Sequence, residues 1–137
     1  VSGGEQMLRS AKDSSGAIKV IGVTALTSLN NHDLNYIFQR DAKEQVTKML
    51  HLAKKSGIDG IVCSPHEIKI VKELAPELTV ITPGIRLEKS DDDQSRVMSP
   101  AEAISCGADY IVIGRPITNS NNINQTLKEI NNFINVS

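Results

Sequence analysis

The sequence predicts an α/β protein, and more narrowly the carboxyl-terminal half of a (β/α)8 TIM barrel: one helix, then four strand–helix units. Three observations predict this. Apolar, β-branched runs alternate with amphipathic helical stretches, so the strands pair in parallel through right-handed crossovers. The runs show little polar–apolar alternation, as strands covered on both faces do. Glycines and arginines cluster after the last two runs, where such barrels commonly hold phosphate. A complete barrel takes about 250 residues, and this chain has 137.

Each element follows from its residues. The segment SGGEQMLRSAK near the start is a glycine turn feeding a helix with no strand before it to pack against. The expectation is that upstream sequence is missing. Residues 18–26, IKVIGVTAL, form the first strand. Residues 41–55, DAKEQVTKMLHLAKK, put Ala42, Val46, Met49, Leu50 and Ala53 on one helical stripe with charges opposite, and Gly57 stops that helix. DGIVCS (59–64) is the second strand. In SPHE (64–67), Ser64 is an N-cap, Pro65 takes the first helical position and Glu67 closes a capping box. That helix runs to about Ala75, before Pro76. LTVITPG (78–84) is the third strand. The loop 86–98 is polar and long for a βα connection, which marks it as functional. SPAE (99–102) repeats the capping box and starts a helix ended by Gly107. DYIVIG (109–114) is the fourth strand. The last helix spans about 123–135, with Ile123, Leu127, Ile130 and Ile134 as its inner stripe. Residues 1–137 thus make one partial domain, with no linker or low-complexity segment.

Composition removes several partner classes. A formal net charge of −1 and no lysine or arginine block argue against nucleic acid. No run of about 18 apolar residues offers a membrane span. Cys63 and Cys106 lack CxxC spacing and read as buried reduced thiols of a cytoplasmic protein. His32, His51 and His66 are scattered, and Cys63 with His66 finds no second pair to complete a metal site. A doubly wound sheet is the competing architecture, since it can stand on few strands. No GxGxxG follows the first strand to support its dinucleotide-binding form.

In parallel α/β folds the carboxyl ends of the strands form the ligand face. In order, those ends offer Thr24, Thr27 and Ser28, then Ser64, then Pro83, Gly84 and Arg86, and last Gly114 and Arg115. Hydroxyls at the first end and arginines at the last two describe a ligand with a polar ring on one side and an anion on the other. In IGRPI (113–117), Gly114 leaves a backbone N–H unshielded and Arg115 brings a fixed charge and a planar fork of donors. The plainer reading is a strand-terminating turn with an arginine in solvent, and the nearby TPGIR (82–86) weighs against it. SDDDQSR (90–96) lacks calcium-loop spacing and reads as a solvated loop tip. Its Gln94 is the exception, because an amide can donate to phosphate and accept from a base edge.

VSGGEQML, VTALTSL, GIDGIVCSPHE, VITPGIR, DDQSRVMSPAEAI and GADYIVIGRPIT, in that order over about residues 2–128, resemble the carboxyl-terminal part of the bacterial orotidine 5′-phosphate decarboxylases. The resemblance implies a (β/α)8 barrel, a homodimer, and the conversion of orotidine 5′-phosphate to UMP and carbon dioxide without metal or organic cofactor. It implies that Thr27 contacts the pyrimidine and that Arg86 and Gln94 belong to the loop closing over the nucleotide, with Gln94 near the phosphate. Gly114 and Arg115 would bind the phosphate itself.

One departure is large. The family's decarboxylating aspartate–lysine array, on a DLKFHDIP-like motif, has no counterpart here, so no catalytic residue is expected in this chain. Two alternatives stay open: a related barrel enzyme acting on a sugar phosphate, or a non-catalytic nucleotide-phosphate-binding fragment.

Overall fold

The computed structural model of the chain describes residues 1–87 and 97–135. Helix α1 (Gly4–Asp13) precedes strand β1 (Ile21–Val23), which is followed by α2 (Asn31–Phe38) and α3 (Ala42–Ser56). Strand β2 (Gly60–Val62) leads through a 3-10 turn (Pro65–Glu67) into α4 (Ile68–Leu74). Then come β3 (Thr79–Thr82), α5 (Pro100–Ser105), β4 (Tyr110–Ile111), α6 (Arg115–Thr118) and α7 (Ile123–Asn135).

The four strands form one sheet in the order β1-β2-β3-β4, every pair parallel. A doubly wound sheet reverses its strand order at a switch point. Strictly sequential order is instead an arc of a barrel. The register sets Gly22, Ile61 and Val80 side by side on one face, and Val23, Val62, Ile81 and Tyr110 on the other. Ile61 and Val80 are fully buried in a core with Val46, Leu50 and Ala53 of α3 and Ile68 and Val71 of α4. Val23 and Tyr110 remain 45% and 61% exposed. The helices therefore cover one face, while the face that would line a barrel stands bare.

Several boundaries differ from those the sequence suggests. The strands are shorter than their apolar runs, because their ends leave the sheet in turns. Single hydrogen bonds continue the pairing past the strand ends, from Thr24 N–H to Val62 O (3.0 Å), Cys63 N–H to Ile81 O (3.1 Å) and Val112 N–H to Thr82 O (2.8 Å). The SPHE start divides into the 3-10 turn and α4, although the Glu67 carboxylate does accept from Ser64 N–H at 3.0 Å. The SPAE capping box forms in both directions around Ser99 and Glu102. Helix α2 was not anticipated. Its start is a capping box in asparagine–aspartate form, with Asn30 Oδ1 accepting from Asp33 N–H at 3.0 Å. On α7, Ile130 and Thr126 are buried, while Ile123 and Leu127 are 48% and 40% exposed. The expected inner stripe is thus only partly covered. Cys63 is buried and Cys106 only partly so.

Candidate anion site at the carboxyl ends of the strands

The first strand end divides its hydroxyls by role. Thr24 is buried and its Oγ donates to Val62 O at 2.9 Å, so this hydroxyl ties β1 to β2. Thr82 is likewise buried and donates to Cys63 O at 2.9 Å, tying β3 to β2. Thr27 lies beyond Thr24 in the turn between β1 and α2, half-buried. Ser64, at the end of β2, is fully buried and forms a capping box with Glu67 at the start of the 3-10 turn.

The third end is the most constrained. Gly84 is buried with φ +79°, the left-handed region that side chains rarely adopt. Ile85 forms a parallel bridge with Met98. Arg86 N–H donates to Met98 O at 3.0 Å and Met98 N–H to Gly84 O at 3.2 Å. Both ends of the long loop are thereby pinned together against the end of β3. Arg86 is only 8% exposed, and its guanidinium donates to Ile85 O at 2.9 Å. Gln94 and the aspartates beside it lie outside the described residues.

At the fourth end, Gly114 caps α6, its carbonyl accepting from Ile117 N–H (2.8 Å) and Thr118 N–H (3.0 Å). Its φ is −102°, and a methyl group built on it would meet no described atom within 4 Å. Crowding among the described residues therefore does not demand glycine there. Arg115 is exposed at the start of α6. Because β3 and β4 are neighbours, the TPGIR and IGRPI turns leave adjacent strands at one rim. Thr27 follows β1, at the far end of the arc.

The opposite rim carries ion pairs. Asp59, just before β2, accepts from Lys12 Nζ and Val20 N–H, both at 2.7 Å. Asp109, just before β4, accepts from Lys72 Nζ (2.8 Å) and Val80 N–H (2.7 Å). The lysine and the backbone donor hold the Asp59 carboxyl below the usual range. At Asp109 burial pushes the other way, but Lys72 and the Val80 N–H outweigh it and the carboxyl is again lowered. Sequence reasoning passed over this device, whose signal is an aspartate immediately before alternate strands. These pairs sit at the amino ends of the strands, away from the ligand face. Among the described residues no group of three metal-ligating side chains comes together. No helix there is long and apolar enough to cross a membrane.

An in-order parallel arc with its helices on one face defines the class: the chain is a segment of a (β/α)8 barrel. Residues 1–130 match the sequence pattern of the Orotidine 5′-phosphate decarboxylase / HUMPS family, and the chain belongs to that family. It is 50% identical over 126 residues to the orotidine 5′-phosphate decarboxylase of Wolbachia pipientis from Culex pipiens, covering 89% of this chain and 56% of that protein. Against the Aliivibrio fischeri decarboxylase it is 45% identical over 138 residues, covering 95% and 59%. The crystal structure of the Lactobacillus acidophilus decarboxylase superposes with a TM-score of 0.79 at 34% identity, over 98% of this chain and 60% of that one. The chain thus spans somewhat more than half the length of the relatives it matches.

Proposed function

We propose that this chain supplies the phosphate grip and part of the pyrimidine site of an orotidine 5′-phosphate decarboxylase, which makes UMP and carbon dioxide. The observation that carries this reading is the pair of glycine–arginine turns leaving adjacent strands at one rim, with no described atom within 4 Å of where a Gly114 side chain would stand. In this reading Gly114 N–H and Arg115 hold the phosphate, and Gln94 meets it from the loop above. Arg86 braces the base of that loop. Thr27, across the mouth, hydrogen-bonds the pyrimidine edge.

The chemistry explains why a grip far from the reacting carbon matters. Loss of carbon dioxide leaves electron density on a pyrimidine carbon, which a lysine stabilises and protonates while a neighbouring aspartate disfavours the substrate carboxylate. Binding energy gathered at the remote phosphate closes the loop and positions the ring for that step. The lysine–aspartate pairs described above stand at the wrong rim to serve. In this reading the proton donor comes from the part of the barrel that the chain does not span, and the 137 residues alone do not turn over substrate. The assembled enzyme would be a cytoplasmic homodimer needing no cofactor.

Calorimetric titration of the chain with UMP and with ribulose 5-phosphate tests the reading. UMP should bind more tightly, and Arg115→Ala should weaken it. Preference for ribulose 5-phosphate would favour a sugar-phosphate enzyme instead, and no binding of either would remove the phosphate grip.

A further inference from the structure

The register of the sheet leaves a gap at the end of β3. Strands β2 and β3 pair in parallel with Val62 opposite Ile81, so Cys63 stands opposite Thr82. In a parallel ladder such a residue donates to the one before its partner and accepts from the one after it. The first half of that pattern is present, since Cys63 N–H donates to Ile81 O at 3.1 Å. The second half needs an N–H at position 83, and Pro83 has none. Strand β3 lies between β2 and β4, so this proline interrupts the inside of the sheet and not an edge.

The Thr82 side chain fills the gap. Thr82 is fully buried, and its Oγ donates to Cys63 O at 2.9 Å. On its other side, Thr82 O accepts from Val112 N–H at 2.8 Å. One residue thus holds β3 to both neighbours where the chain turns through Pro83 into left-handed Gly84. The neck of the long loop starts there, with Gly84 O accepting from Met98 N–H and Arg86 N–H donating to Met98 O. Thr24, at the end of β1, makes a similar hydroxyl bond with less consequence. Its Oγ donates to Val62 O, which already accepts the Thr24 N–H at 3.0 Å. At Thr24 the hydroxyl doubles a ladder bond, and at Thr82 it replaces one.

We propose that Thr82 is a positioning residue: its hydroxyl stands in for the ladder donor that Pro83 lacks, and so fixes where the glycine–arginine turn and the loop neck leave β3. Its bearing on nucleotide binding rests on the phosphate-grip reading, whereas its bearing on the neck does not.

Amide hydrogen exchange of the chain, followed by NMR, and calorimetric titration with UMP test this together. Thr82→Val keeps the branched shape and removes the hydroxyl, Thr82→Ser keeps the hydroxyl, and Thr24→Val removes the doubled bond as a control. In Thr82→Val the Arg86 and Met98 amides should exchange about tenfold faster than in the parent, the scale of one lost buried hydrogen bond. Thr82→Ser and Thr24→Val should leave both rates near the parent's. UMP affinity should fall about tenfold in Thr82→Val and hold in Thr82→Ser. Unchanged neck exchange in Thr82→Val, equal acceleration in Thr24→Val, or acceleration that persists in Thr82→Ser would each overturn the proposal. Faster exchange with UMP affinity intact would confine Thr82 to the fold and overturn its role toward the ligand. A parent chain that binds no UMP would remove the phosphate-grip reading instead, and the exchange rates would then decide the role of Thr82.

Discussion

Arg115 and Arg86 carry the same guanidinium in opposite surroundings, so their removal should do different things. Arg115 is exposed at the start of a four-residue helix. Truncation to alanine should leave stability within about 0.5 kcal/mol. If the residue grips a phosphate, UMP affinity should fall about tenfold to a hundredfold, the usual value of a charge-assisted pair. A large drop in melting temperature with unchanged affinity would make Arg115 a structural residue. Arg86 is nearly buried and bonded to Ile85 O. Arg86→Ala should lower stability by about 1–3 kcal/mol, through lost packing as well as the lost bond, and a denaturant midpoint measures it. Glycines and charges were legible in the sequence because their chemistry is local. Burial of Arg86 was not, since it depends on Met98 returning to close the loop. Nor could the sequence show that the Thr24 hydroxyl is taken up in tying β1 to β2.

At the scale of elements, side-chain periodicity placed the long helices well and the short pieces poorly. Helix α3 was legible because Val46, Met49, Leu50 and Ala53 recur on one face and are all buried. Helix α2 buries only Leu34, so it lacked such a stripe, and its asparagine–aspartate cap was the usable signal. Strand lengths were overread because hydrophobicity marks burial, whereas pairing needs a neighbour. Gly60 shows what the pairing demands. A methyl group built there would lie 2.5 Å from Thr79 O and 2.9 Å from Ile21 Cδ1, between the two strands that flank β2. A backbone oxygen cannot swing aside as a long side chain can. Gly60→Ala should therefore destabilise the chain by about 1–3 kcal/mol, the range for overpacking. A denaturation midpoint unchanged from that of the parent would show that the sheet yields at this point.

For the whole molecule, alternation of strands and helices revealed the α/β class, and the strandless first helix with the glycines and arginines after the last two strands pointed to the barrel, while the ties that hold the arc's lower rim were hidden in single aspartates. Asp59 joins α1 to the entries of β1 and β2, and Asp109 joins α4 to the entries of β3 and β4. Both carboxyls are held below their ordinary range in the folded chain. A group lowered on folding binds its proton more weakly in the native state, so protonation favours unfolding. Its contribution is complete above the unfolded value of about 3.9 and is lost as pH falls through the lower folded one. Stability should therefore vary little on account of these groups from neutral pH to about 5, then decline below about 4. In the Asp59→Asn, Asp109→Asn double variant the neutral-pH stability should already be lower and the acid decline shallower. Urea midpoints measured at a series of pH values follow both effects. An acid slope equal in parent and variant would place the sensitivity elsewhere and reduce the two aspartates to ordinary surface charges.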